Sequence, residues 1–366
     1  KKVLGEKMLA YFSEGNIIIH DYFEVAEMIK NMSDQGSILL DKKNISAYFY
    51  QILREKWTII HQPNPTQQMK AIKNATEIER LREIYLKDSV AVTKFICEIK
   101  QNMKNKNYTE YEAAMKMDQI RKEIPECFDL SFPTICGYQA NAAMMHYQAE
   151  EGNCAQVLPE GMLLVDSGGQ FEGGTTDVTR TISVGETSRK QKEHYTRVCR
   201  GMLNLSEVKF LYGCTGRNLD IIARQPMWEA GIDYKCGTGH GIGYMLNVHE
   251  GPQSIRWQYM KSNVEAILEE GMIISNEPGV YLDGEYGIRI ENIMLCKKAE
   301  KNSDGQFMEF ETLTYVPLDR EAVIPEGMSD IERERLNRYQ FSVYEKVSPY
   351  LTEDEKNWLF QETRPV

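Results

Sequence analysis

Two stretches of this chain echo one another, and that echo constrains the fold more than any other feature. Glu160-Gly161-Met162-Leu163-Leu164-Val165-Asp166-Ser167-Gly168 is answered by Glu270-Gly271-Met272-Ile273-Ile274-Ser275-Asn276-Glu277-Pro278-Gly279. Each reads as a turn, a hydrophobic strand and then an acid. Each is followed by a second β-rich run with another acid: Asp177 before Val178-Thr179-Arg180-Thr181-Ile182, and Glu291 after Ile288-Arg289-Ile290. Gly-rich residues 167–176 join the first pair, and Gly- and Pro-containing residues 278–287 join the second. The pattern predicts two β-hairpins with one acid on each strand. Paired strands lie about 5 Å apart, so acids at facing positions sit side by side. Two such hairpins face to face would converge four carboxylates.

Four clustered carboxylates repel one another and protonate unless cations balance them. Two divalent metals supply about that balance, and oxygen-rich ligation favours Mn²⁺, Co²⁺ or Zn²⁺ over soft ions. A single acid at a strand end needs no function; a repeated pair argues for one. The sharpest local signal is Gly237-Thr238-Gly239-His240-Gly241-Ile242-Gly243. Its spacing matches neither a dinucleotide fingerprint nor a phosphate-binding loop with its lysine. The glycines instead flank one histidine, letting backbone approach closely and leaving the imidazole open to a metal or ligand. His249 follows in Asn247-Val248-His249-Glu250-Gly251-Pro252, and His146 precedes the first hairpin. The other three of the six histidines, His20, His61 and His194, read as ordinary structural residues.

The remaining chain supplies α/β material. Ile17 to Ile19, Ser37 to Leu40 and Trp57 to Ile60 read as strands, and Tyr22 to Met32 and Ile45 to Leu53 as helices. The prolines within residues 61–65 mark a boundary. A long amphipathic helix follows, with Thr76 and Glu79 spaced as a capping box and Ile78, Leu81, Tyr85, Val92, Phe95 and Ile99 along one face. A second helix is expected from Tyr108 to Ile124, ending before Pro125, and the C-terminal stretch from Asp330 is helical again. The formal net charge of −11 argues against phosphate-backbone binding and hence against a nucleic-acid partner. No apolar run is long enough to span a membrane. The 8 cysteines form no C-x-x-C pair, which predicts free thiols in a reducing, cytoplasmic setting. The chain begins at Lys1 and reads as lacking an N-terminal segment.

The strings Leu-Leu-Val-Asp166-Ser-Gly-Gly, Gly-Thr-Gly-His240-Gly-Ile-Gly, Ser-Asn-Glu277-Pro-Gly and Ile-Arg289-Ile-Glu291-Asn resemble the M24 metallopeptidases, and specifically the Xaa-Pro aminopeptidases. The resemblance covers roughly residues 67 to 366. It implies a pita-bread catalytic domain over 67–366, preceded over 1–66 by part of a creatinase-like α/β domain. It implies two divalent metal ions, Mn²⁺ first among the candidates. Asp166 would hold one metal, His240 and Glu277 the other, and Asp177 and Glu291 would bridge both. Glu277 would also handle a proton, His146 and His249 would contact substrate and handle protons, and Arg289 would stand beside the proline pocket. The substrates implied are peptides with proline second, and the assembly implied is a homodimer.

One position departs from the pattern. Relatives often carry a histidine four residues before the metal-binding one, near the second substrate residue; here that position is Cys236. The nearest alternative activity is a prolidase, which cuts Xaa-Pro dipeptides only. The alternative from another class is a non-catalytic M24-like module that binds other proteins. Such modules have typically lost metal ligands, whereas all five are present here.

Overall fold

The computed structural model describes residues 4–33, 36–103, 106, 108–259 and 265–366. It divides into two compact units, Lys1–Gln68 and Met69–Val366.

In the first unit, helices α1 (Glu6–Glu14), α2 (Val25–Asn31) and α3 (Ala47–Arg54) accompany two parallel strands, β1 (Ser37–Leu40) and β2 (Thr58–His61). Ser46 starts α3 by accepting a bond from the Phe49 amide, satisfying one of the free donors of the first turn. Ile17 to Ile19, expected as a strand, is none: β1 and β2 pair with each other, and Ile18 is 81% exposed. Hydrophobic character without a partner strand does not make a strand.

The second unit repeats one plan twice. Its first half opens with α4 (Ala75–Asn102) and α5 (Glu110–Lys122). The capping box of α4 is Asn74 with Glu77, not Thr76 with Glu79, because asparagine accepts the amide bond equally well two residues earlier. Thr109 and Glu112 cap α5, which therefore starts two residues later than the periodicity suggests. Both helices pack on an antiparallel sheet, ordered β5 (Val178–Ser183), β4 (Met162–Ser167), β3 (Ile135–Tyr138). Phe95, Ile99, Met117, Cys136, Leu163 and Ile182 share that core.

The second half has α6 (Arg189–Ser206) and α7 (Gly216–Trp228), followed by a short ladder of β6 (Gly239–His240) with β7 (Ser254–Ile255). Then come β8 (Ile273–Asn276), the hairpin of β9 (Gly279–Leu282) and β10 (Tyr286–Arg289), and the long strands β11 (Asn292–Asn302) and β12 (Gly305–Thr312). Residues of α6, α7, β8, β11 and β12 form the second core: Leu205, Leu219, Ala223, Ile274, Met294 and Met308. The helices α8 (Asp330–Val347) and α9 (Glu353–Glu362) close the unit.

Candidate metal centre and active site

The echoed segments become β4 and β8, whose ends meet at one cavity. Asp166 lies within β4, opposite Thr179 of β5. Asp177 precedes β5 by one residue, two before Thr179, so the two acids share a sheet face diagonally rather than directly across. In the other half the expected facing holds. Asn276 pairs with Asn292, which sets Glu277 and Glu291 opposite each other just beyond the ladder of β8 with β11. The two halves join here, as the Glu291 amide donates to the Thr179 carbonyl at 3.1 Å.

His240 enters from β6. Its amide donates to Ser275 Oγ at 2.9 Å, and its Nδ1 lies 3.0 Å from the Gly241 carbonyl. That second contact suits an Nδ1–H tautomer and turns the Nε2 lone pair toward the acids. Nε2 lies 3.5 Å from Asp177 Oδ2 and 3.3 Å from Glu277 Oε1. Close approach of β6 to β8 requires glycine at 239, where a Cβ would meet the Ser275 carbonyl at 2.0 Å.

All nine residues singled out from the sequence line one cavity of about 500 Å³: His146, Asp166, Asp177, Cys236, His240, His249, Glu277, Arg289 and Glu291. Asp177, His240 and Glu291 bring donor atoms within 4.8 Å of one another, close enough to share one ion. Asp166 Oδ2 accepts from Arg289 Nη2, and Glu277 accepts from Ser275 Oγ at 3.0 Å. Arg289 is itself fixed by Tyr281 Oη at 3.0 Å and Thr179 Oγ1 at 3.1 Å.

The electrostatics fit a cation. Asp166 Oδ1 and Glu291 Oε1 are buried with no hydrogen-bond partner among the described residues, which normally costs on the order of 1–3 kcal/mol per group. Burial, then Asp166 and Glu277, hold the Asp177 carboxyl well above the usual carboxylate range. Burial, then Asp177, do the same to Glu291, and burial raises Glu277. Four carboxylates and one imidazole make a hard, oxygen-rich donor set that suits a pair of divalent metals.

The other residues frame this cluster. His249 stacks edge-on against His240, centroids 4.2 Å apart. Partial burial, then the His240 and His146 rings, push its pKa down to about 4, so it is neutral at pH 7. Burial, then Glu277, push the Cys236 thiol up to about 11, leaving it protonated there.

Several supporting residues have no sequence signature. Arg180 is fully buried and donates to the carbonyls of Thr179, Glu291, Val316 and Pro317, to Asn292 Oδ1 and to Tyr339 Oη. Thr179 Oγ1 donates to Glu291 Oε2 at 2.8 Å. Asp220 and Arg224 of α7 bind Thr238 and the Cys236 carbonyl, ordering the approach to His240. Buried Glu110 accepts from Tyr147 Oη and the Tyr138 and Ala155 amides, anchoring the loop that carries His146. The one available hint was a charged residue inside a β-branched run, as with Arg180.

Comparison with known proteins agrees with this geometry. The profile of metallopeptidase family M24 matches residues 79–298, that of the C-terminal region of peptidase M24 matches 306–366, and that of the creatinase/prolidase N-terminal domain matches 1–77. A probable Xaa-Pro aminopeptidase P of Paracoccidioides brasiliensis (strain Pb03) is 42% identical over 310 residues, covering 83% of this chain and 50% of that protein. Xaa-Pro aminopeptidase 1 of Dictyostelium discoideum is 36% identical, covering 99% of this chain and 58% of that protein. The chain thus spans about half the length of these relatives. Among solved structures, the X-prolyl aminopeptidase of Caenorhabditis elegans, described as a cytosolic enzyme with a di-nuclear active site, superposes with a TM-score of 0.89. It is 32% identical, and the match covers 99% of this chain and 60% of that one. The prolidase of Pyrococcus furiosus, 23% identical with a TM-score of 0.64, shares the fold. The twice-repeated helix-pair-on-sheet unit is the pita-bread fold, and this chain belongs to metallopeptidase family M24.

Proposed function

We propose that this chain is the catalytic portion of a two-metal aminopeptidase that hydrolyses the first peptide bond of peptides with proline second. The observation that carries the reading is the meeting of Asp166, Asp177, His240, Glu277 and Glu291 at one cavity, with two buried carboxylate oxygens left without partners among the described residues. We assign 67–366 to the catalytic domain and 1–66 to part of a creatinase-like domain. Asp166 is assigned to one metal, His240 and Glu277 to the second, and Asp177 and Glu291 to both, with Mn²⁺ the preferred ion. A bound pair of divalent cations supplies Lewis acidity and lowers the pKa of water toward neutrality.

The chain's own groups do the rest. The acids draw the protonated amine of the substrate, which favours cleavage at an N-terminus. Glu277, whose burial raises its pKa, is suited to take a proton and return it to the leaving proline nitrogen. Neutral His249 offers a hydrogen bond beside the scissile carbonyl without adding charge, and His146 lines the same cavity as a substrate contact. Arg289 holds Asp166 and Tyr281 in place at the proline side. Cys236, smaller than histidine, contributes a neutral wall there. Among the described residues no helix is long and apolar enough to cross a membrane. A cytoplasmic, homodimeric peptide hydrolase without a nucleic-acid partner is the reading consistent with the free cysteines and acidic charge; a monomeric mass by light scattering defeats the dimer.

Peptide length tests the activity. With Mn²⁺ added, the reading expects Ala-Pro-Ala to lose its first alanine. Cleavage of Ala-Pro alone, with the tripeptide untouched, makes the chain a prolidase. A chain that binds no metal and cleaves neither is a binding module.

A further inference from the structure

The cavity contains two arginines with opposite commitments. Arg289 is buried and spent on Asp166, Tyr281 and Thr179. Arg256 lines the same cavity half-buried, and its Nε is buried without a hydrogen-bond partner among the described residues. Among the described residues no carboxylate pairs with it, although the chain carries 54 acids against 43 lysines and arginines. Its guanidinium lies beside Gly237, where a Cβ would come within 3.3 Å of Nη2, so the missing side chain leaves it room. An arginine held at a cavity wall with donors unspent is suited to an incoming anion, because its planar fork matches a carboxylate.

The ladder of β6 with β7 sets the distance. His240 pairs with Ser254 and Gly239 with Ile255, so Arg256 follows Ser254 by two residues, about 7 Å along the strand. An extended peptide advances about 3.4 Å per residue. If its first carbonyl lies at the acid and His240 cluster, its third residue comes abreast of Arg256.

We propose that Arg256 binds a carboxylate carried by the third residue of the substrate, either the C-terminus of a tripeptide or an acidic side chain. The site would then be tuned to short or acidic peptides, with the amine held at one end by four acids and the carboxylate at the other by one arginine. This rests on the aminopeptidase reading for the direction in which the peptide lies.

The test is calorimetric binding to the Mn²⁺-loaded chain, using Ala-Pro-Ala with its first amide reduced to CH₂–N so that nothing turns over. The free acid, its C-terminal amide, and the amide with aspartate third are compared on wild type, Arg256→Gln and Arg256→Lys. The free acid is expected to bind about tenfold more tightly than the amide, the scale of one charged hydrogen bond. Arg256→Gln is expected to erase that ratio and Arg256→Lys to keep part of it. Tight binding of the aspartyl amide extends the site to acidic side chains; binding as weak as the plain amide assigns it to the C-terminus. Equal binding of acid and amide by wild type overturns the proposal, as does a ratio that survives Arg256→Gln. Hydrolysis of ordinary Ala-Pro-Ala is read separately, so a failed activity and a failed subsite are told apart.

Discussion

Replacing Arg180 with methionine, which keeps the stem and removes the donors, should unfold the catalytic unit early. Arg180 makes six hydrogen bonds while 1% exposed. Three of its acceptors keep another partner. The Thr179 carbonyl keeps the Glu291 amide, the Val316 carbonyl keeps the single Tyr339 hydroxyl proton at 2.8 Å, and Tyr339 Oη can still donate. Asn292 Oδ1, 3.3 Å from that hydroxyl, is then left without it. The carbonyls of Glu291 and Pro317 accept from Arg180 alone among the described residues. Three orphaned buried acceptors at about 1–3 kcal/mol each give a loss of about 6 kcal/mol. Unfolding entropy of about 2.1 cal/mol/K per residue over roughly 300 residues turns that into a drop of about 10 °C in Tm. Thermal unfolding read by circular dichroism, with and without Mn²⁺, measures it. The metal-induced rise in Tm should shrink as well, because Arg180 holds the carbonyls on which Thr179 and Glu291 are hung. A Tm within 2 °C of wild type and an unchanged metal response would refute the argument.

Three further outcomes follow from the geometry. Asp177→Ala should take hydrolysis to background and lower the bound metal measured by mass spectrometry; retained activity with two metals per chain means the ligand assignment is wrong. Gly239→Ala should fail to fold stably, since its Cβ would meet the Ser275 carbonyl at 2.0 Å, and soluble protein with native circular dichroism would contradict that packing. Burial raises the pKa of Glu332, but bonds from Ser329, Arg200 and Asn204 outweigh it and bring the value down to about 2 from an ordinary 4.5. A depressed carboxylate stabilises the fold fully above the unfolded value and loses that contribution as pH falls from 4.5 toward 2. The Tm gap between wild type and Glu332→Gln should therefore be constant from pH 8 to 5 and narrow steadily as pH falls from 4.5 toward 2; a gap independent of pH removes the ion pair as its cause.

Much of the site was legible because its chemistry is local. Each acid sits at a strand end beside a turn, and glycines bracket His240, so type and position survive without knowing the fold. The facing arrangement was legible for Glu277 and Glu291 but not for Asp166 and Asp177. Residues 167–176 fold into pairings of their own, Gln170 with Thr175 and Phe171 with Gly174, and shift the register. Helix existence was read well and helix starts less so, because Asn74 and Thr109 compete as caps with their neighbours. Arg180, Arg224 and Glu110 were invisible. Their partners are mostly backbone groups or residues far off in sequence, as with Arg180 and Val316, and such bonds leave no pattern in a linear string.

The central claim is proline-directed removal of one residue, and two matched peptides test it most directly. The purified chain with Mn²⁺ is incubated with Arg-Pro-Pro-Gly-Phe and with Arg-Ala-Pro-Gly-Phe, and products are read by mass spectrometry. The account predicts loss of the first arginine only from the peptide with proline second. Equal cleavage of both would leave a metal aminopeptidase without the proline requirement, and an intact pair of peptides in the presence of fully loaded metal would contradict the account outright.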